Sequence, residues 1–189
     1  NIDPYDTPFV SATPTGKADA VIQSWQTDEL RAPGANAVIE GEDATINAGT
    51  FTTMLNNYCQ ISDETLQVTG TTDAVKKAGR KNELAYQLAK KGKELRMDLE
   101  YIMVGAPQAK LTRSSSVAGL TGNIFSYYTT NGSMGAGAGV APIGDGSNTG
   151  TAGTPRALTE TLILTASQKI WENGGKANTI HCGVKQKNL

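Results

Sequence analysis

Few residues of this 189-residue chain are of a type that does chemistry. A nucleophilic or acid–base site needs a histidine or a tuned carboxylate held beside a partner. The chain has one histidine, His181, followed directly by Cys182. The pair could form a Cys/His dyad or offer two metal ligands. However, Thr179 to Val184 reads as a short strand, and adjacent strand residues point to opposite faces. A tetrahedral metal would also lack its other ligands, because Cys59 is the only other cysteine. The Gly-rich stretch from Gly132 to Gly153 lacks the Gly-Lys-Ser/Thr ending of a phosphate loop and a true G-x-G-x-x-G, so it reads as a surface loop with no core of its own. Glu40, Glu42 and Asp43 could meet a cation, but hard-cation loops space their oxygens more densely and end on Glu. They read instead as a solvated or partner-facing acidic tip. Asn131-Gly132-Ser133 matches a glycosylation sequon and, with no leader in view, is taken as chance. No catalytic residue, cofactor or metal is predicted.

The charges are more informative. Residues 1–73 carry eleven acidic residues against two basic ones, Lys17 and Arg31, whereas residues 74–110 carry nine basic against four acidic. The near-neutral total of −1 hides this polarity. The basic set on the central segment is Lys76, Lys77, Arg80, Lys81, Lys90, Lys91, Lys93 and Arg96. Phosphate contact, a solvated face and an acidic partner surface are all open to it. An acidic arm and a basic rod in identical subunits would attract each other between neighbours, which points to assembly rather than catalysis.

Length fits one domain, or one and part of another, and the uneven spread of apolar residues predicts a modest core. No run of about 18 apolar residues exists to cross a bilayer. Two cysteines in a chain this size fit free thiols in a reducing compartment, hence synthesis in a cytoplasm. Neither end shows a start or stop in pattern, so both read as truncations.

The elements that would position these groups follow from periodicity. Pro4, Pro8 and Pro14 predict an extended arm over residues 1–16. Lys17 to Thr27 and Thr50 to Ile61 read as strands, the second with Phe51, Thr53, Leu55, Cys59 and Ile61 on one face, and Leu66 and Val68 as a shorter one. With the acidic tip between them they make a protruding two-stranded ribbon, marginal in water without a surface to lie on. Residues 72–104 predict one long helix, capped by Thr71 or Thr72 and carrying a stripe of Leu84, Leu88, Leu95, Leu99 and Ile102. At ~1.5 Å per residue this rod is about 45 Å long. Gly79 and Gly92 point to bends or close packing. A second helix is predicted from Leu158 or Thr159 to Glu172, ended by Gly174-Gly175.

This order of parts, together with particular residues, resembles the major capsid proteins of tailed phages with the HK97-like fold, and among them the SU10-like branch. The residues are Trp25-Gln26-Thr27-Asp28, Leu30, Ala32-Pro33, Glu40-Gly41-Glu42-Asp43-Ala44, Asn57-Tyr58, Gln60-Ile61 and Val68-Thr69-Gly70. The run Ala78-Gly79-Arg80-Lys81-Asn82-Glu83-Leu84-Ala85-Tyr86-Gln87-Leu88 is the most specific. Ala118-Gly119-Leu120, Thr129-Thr130-Asn131, Arg156-Ala157-Leu158-Thr159, Trp171-Glu172, Gly174-Gly175 and Thr179-Ile180 complete it.

The resemblance implies an α+β fold with an N-terminal arm (1–16), an extended two-stranded loop over a neighbour (17–69), a peripheral domain with a spine helix (70–156) and the start of an axial domain (157–189). It implies a structural, non-enzymatic subunit of an icosahedral shell around a double-stranded DNA genome, located in the virion. Partners would be copies of itself in hexamers and pentamers, with cement or decoration, scaffold and portal proteins, and weak non-specific contact with packaged DNA. The inter-subunit contact candidates are Trp25, Asp28, Glu29, Arg31, Glu40, Glu42, Asp43, Phe51 and Leu55 on the ribbon. On the helix they are Lys76, Lys77, Arg80 and Lys81. A nucleic-acid-binding protein using the basic helix is the alternative. The acidic arm, and the lack of aromatic residues among the basic ones, count against it.

Overall fold

The computed structural model describes residues 6–46, 48–75, 79, 82–137 and 139–187. Lys76, Lys77, Arg80 and Lys81, four of the contact candidates, lie outside the described residues, as do residues 1–5 of the arm. Helices and strands are both present. In chain order they are α1 (Pro8–Ala12), β1 (Ile22–Thr27), β2 (Thr53–Tyr58), α2 (Gly70–Ala74), α3 (Glu83–Glu100), α4 (Glu160–Glu172) and α5 (Val184–Lys187). A π-helical turn, Tyr101–Gly105, extends α3, and a short 3-10 turn spans Ile124–Ser126.

β1 and β2 pair antiparallel with Trp25 opposite Leu55 and Ile22 opposite Tyr58. They form a two-stranded ribbon; among the described residues of its connecting segment, 28–46 and 48–52, there is no regular structure beyond a turn at residues 40–41. At that turn the Glu42 N–H donates to the Ile39 carbonyl at 3.1 Å. The strands are shorter than predicted, and residues 59–69, including the expected Leu66–Val68 strand, are not extended into the sheet. Nor does burial alternate along β2. Thr53 and Met54 are exposed, and Leu55 to Tyr58 are all half-buried. A period-two pattern signals a sheet covered on one face along its length. Here cover exists only at one end of the ribbon, so burial grades along the strand instead.

The predicted 72–104 rod is broken. Thr69, not Thr71 or Thr72, caps a short helix, its hydroxyl accepting from the Thr72 N–H at 3.4 Å. At Gly79 the backbone takes φ +85°, the left-handed region that glycine enters without a Cβ clash, and no α-helix passes through it. α3 restarts at Asn82, whose side chain accepts from the Ala85 N–H at 2.9 Å, with Glu83 at the positive end of the helix dipole. Eighteen residues give a rod of about 27 Å. Its apolar stripe is only half covered. Leu95 and Ile102 are half-buried, while Leu84, Leu88 and Leu99 face solvent.

The arm also differs from the prediction. Pro8 occupies the first turn of α1, where proline's missing N–H costs nothing and its fixed φ suits the helix. The Glu100 carboxylate accepts from the Phe9 N–H at 2.9 Å and the Val10 N–H at 2.7 Å, so α1 rests on the end of α3. Arg96 adds a bond to the Ser11 hydroxyl at 2.9 Å. α4 agrees closely with its prediction. Thr159 precedes it, Glu160 opens it, Lys169 lies in its last turn and Gly174 at φ +77° ends it. Thr179 to Val184 is not a strand, since no neighbouring strand offers a ladder; Gly183 instead starts α5 by accepting from the Gln186 N–H at 3.1 Å.

Among the described residues no hydrophobic side chain is fully buried; the buried polar residues are Thr7, Glu83, Asn123 and Ser126. The accessible surface is 15435 Å². A compact monomer of 19.8 kDa exposes about 8600 Å². The chain therefore leaves far more surface in water than a self-sufficient globule would.

Gly92 lies mid-helix on the exposed side of α3, and a Cβ built there meets nothing within 4 Å. Neither a bend nor close packing requires it in this chain. Gly92→Ala should raise stability by about 0.5–1 kcal/mol through helix propensity alone. A lower Tm by circular dichroism would show that something else fills that space.

Candidate functional site

The ribbon is hydrogen-bonded to the body at one end and exposed at the other, so the groups that fix its root and the groups at its tip define the candidate site. The root is held by directional polar bonds. The Asn57 side-chain amide pairs with the Gly122 backbone as a strand would, donating to its carbonyl at 2.9 Å and accepting from its N–H at 2.8 Å. The Asn56 carbonyl accepts from the Tyr127 hydroxyl at 2.9 Å and from Lys110 Nζ at 3.2 Å. Lys110 Nζ also donates to Asn56 Oδ1 at 2.8 Å and to the Asp145 carbonyl. Thr121 Oγ1 donates to the Tyr58 carbonyl at 2.7 Å and accepts from the Gln60 N–H at 3.1 Å. Gln108 bridges the Gln60 side chain and the Thr121 carbonyl at 3.0 and 2.7 Å. Trp25 closes the face with its ring 5.4 Å from that of Tyr127.

The Gly-rich segment supplies the other half of this junction, contrary to the expectation of a loop that buries nothing. Its chain doubles back through bridges Ala136–Thr154 and Val140–Thr151, and Pro142, Gly144 and Gly146 are buried. The Gly146 N–H donates to the Ser126 carbonyl at 3.1 Å, and its carbonyl accepts from the Lys110 N–H at 2.8 Å. At φ +85°, with a Cβ position 2.5 Å from the Tyr127 hydroxyl, only glycine fits there. Backbone packed on backbone replaces a side-chain core.

The tip is the opposite case. Asp28, Glu29, Arg31, Glu40, Glu42 and Asp43 are all exposed, and their hydrogen bonds are local, such as Arg31 Nη1 to the Ala32 carbonyl at 3.2 Å. Phe51 is 98% exposed and Leu30 100%. Val38, Ile39 and Ile46 are exposed with them and were not singled out by sequence, because no periodicity marks apolar residues scattered in a loop. Trp25 and Leu55 belong to the root instead, opposite each other in the ladder and near Tyr127. The structure thus separates the ribbon candidates into an anchored pair and an unpartnered tip.

Part of the basic helix is already neutralised. Lys91 lies 2.5 Å from Glu64 and 2.8 Å from Glu94, and Lys90 lies 3.7 Å from Glu94. The bonds to Glu64 and then Glu94 push the Lys91 ammonium above its ordinary range, and Lys91 holds the Glu94 carboxyl below its own. His181 is used for packing, its ring edge-on to Phe9 at 5.5 Å. Both cysteines are free thiols. Among the described residues no cluster of His, Cys, Asp and Glu could hold a metal, and no helix is long and apolar enough to cross a membrane.

An anchored, solvent-exposed ribbon on a chain whose described residues bury no large apolar side chain is the geometry of a subunit whose surface is completed by something else. The sequence profile of the SU10 major capsid protein family matches residues 1–189. The chain belongs to that family. It is similar to the major capsid protein of Escherichia phage Phieco32, 41% identical over 104 residues, which are 54% of this chain and 30% of that protein. The matched stretch thus spans under a third of the curated relative. The SU10 major capsid proteins are a structural family of the virion and not an enzyme class.

Two predictions test the root. Asn57→Leu strips Gly122 of both partners and leaves a buried N–H and C=O unsatisfied, which should cost about 1–3 kcal/mol. Faster amide exchange confined to β2 and residues 120–123 would report it, and unchanged exchange would contradict it. Burial, followed by the charges of Asp145 and Tyr58, pushes the Tyr127 hydroxyl up to about 12. An unfolded tyrosine ionises near 10. Stability from this group is therefore complete below about pH 10 and lost as pH rises through about 12. Ultraviolet titration of wild type against Tyr127→Phe should show one phenol missing from the high-pH phase.

Proposed function

We propose that this chain is a structural subunit that assembles with its own copies into the icosahedral shell of a tailed double-stranded DNA phage, on an HK97-like plan. Residues 1–16 serve as the arm, 17–69 as the extended loop, 70–156 as the peripheral domain with its spine helix, and 157–189 as the start of the axial domain. Copies meet in hexamers and pentamers. Cement or decoration, scaffold and portal proteins are further partners, and packaged DNA meets the inner wall through weak non-specific contact. The subunit is made in the host cytoplasm and ends in the virion.

The observation that carries this reading is the tip. Phe51, Leu30 and Ile46 stand in water at the end of a ribbon whose root is pinned by eight or so directional bonds. A marginal two-stranded ribbon would not hold its tip apolar residues out without a surface to receive them. Covering each such side chain is worth about 1.5–3 kcal/mol, whereas exposed ion pairs add about 0–1 kcal/mol each. Apolar burial supplies the adhesion. The acids at Asp28, Glu29, Glu40, Glu42 and Asp43 then set encounter and register against Lys76, Lys77, Arg80 and Lys81 of another copy. The Lys91–Glu64 contact supports this pairing, since it already joins the acidic third of the chain to the basic helix within one subunit.

Negative-stain microscopy of the full chain tests both levels. Shells, or rings of five and six, are expected. A Glu40→Lys, Glu42→Lys, Asp43→Lys triple variant should stay folded by circular dichroism but assemble poorly. A parent that remains dispersed would overturn the shell reading. Normal shells from the variant would overturn only the charge pairing.

A further inference from the structure

Three Asn or Asp residues in this chain precede glycine: Asn131-Gly132, Asp145-Gly146 and Asn173-Gly174. Such dipeptides are prone to ring closure, because glycine's N–H is unhindered and can reach the side-chain carbonyl carbon. Whether it does so depends on whether the nucleophile and the electrophile are free. At Asp145 neither is free. The carboxylate accepts from the Ser147 N–H at 2.8 Å and from its hydroxyl, while the buried Gly146 N–H is bonded to the Ser126 carbonyl. At Asn173 both groups are again engaged. The side-chain amide donates to the Lys169 carbonyl at 2.8 Å, and the Gly174 N–H to the Trp171 carbonyl at 2.9 Å, as part of the stop of α4.

Asn131-Gly132 differs from both. Both residues are exposed, and no hydrogen bond holds the Asn131 side chain or the Gly132 N–H. Asn131 is also the only non-glycine among the described residues with positive φ, at 63°. The backbone turns there with neither the side chain nor the following amide held by a hydrogen bond.

We propose that Asn131 is the site at which this chain deamidates spontaneously, independently of the assembly reading. Hydroxide removes the Gly132 amide proton. The nitrogen bonds to Asn131 Cγ, the Cγ–Nδ2 bond breaks, and ammonia leaves with a proton from water, closing a succinimide. Water then opens one of the two ring C–N bonds and returns the N–H, giving aspartate or β-linked isoaspartate. Either product adds a negative charge two residues from Ser133, whose hydroxyl and carbonyl accept from Arg156. The new carboxylate competes for that guanidinium and loosens the tie between the Gly-rich segment and the chain leading into α4.

The test is peptide mass spectrometry of the folded chain incubated at neutral and mildly alkaline pH, with a parallel sample in concentrated urea. Isoaspartate is detected by methyltransferase labelling. In the folded chain Asn131 should convert at least about tenfold faster than Asn173, because each hydrogen bond that must open lowers the reactive population. In urea the two sites should react at similar rates, and Asn131→Gln should abolish the isoaspartate label in the folded sample. No conversion at Asn131, or the same rate ratio folded and unfolded, would overturn the proposal.

Discussion

The structure depends on the hydrogen-bonded seat beneath the ribbon. Asn57 completes a one-rung ladder with Gly122, and Lys110 and Tyr127 converge on the Asn56 carbonyl. These contacts join segments some 54 to 71 residues apart in the chain. Without them β1 and β2 would be an isolated hairpin, which water does not hold. The burial of Ser126, Asn123 and the glycines beside them follows from the same demand: backbone groups withdrawn from water must find partners. One group has none. Asn123 Oδ1 is buried without a protein partner while its amide nitrogen donates to the Ala106 carbonyl.

A polar seat suits a projecting element. Hydrogen bonds have direction, so several of them fix the angle at which the ribbon leaves the body as well as its position. Apolar packing is non-directional and tolerates sliding. The Gly-rich segment, with Gly146 accepting from the Lys110 N–H and closing on Tyr127, is the lower jaw of that clamp. Its low complexity reflects a requirement for backbone to touch backbone.

Sequence foretold some of this and not the rest, for identifiable reasons. α4 was legible because its signals are local: Thr159 before it, an apolar face of period 3.6, and Gly174 after it. The cores of β1 and β2 were legible from Ile22 and Trp25 among polar neighbours and from the alternation around Thr53 and Leu55. The long helix was misread as continuous because its stripe, which begins only at Leu84, was extended back to a cap at Thr71 or Thr72, and periodicity cannot see a single left-handed residue such as Gly79. α1 was hidden by prolines that here stand at a helix start. The seat was illegible because its amides are partnered only by the tertiary fold. The one hint was Asn56-Asn57 inside a strand, where asparagine is disfavoured and two together require a reason. The family itself was legible from the residues around Ala78 to Leu88, though the structure describes only part of that run.

The bare apolar groups at the ribbon's end also have a calorimetric meaning. Hydrating hydrocarbon raises heat capacity, and hydrating peptide groups lowers it. A chain that buries amides and leaves Phe51 and Leu30 wet should melt with an unusually small heat-capacity step for its length. The missing part of that step is carried by whatever later dries those side chains, and it would emerge as a strongly negative ΔCp of association, measurable by titration calorimetry with no structural label.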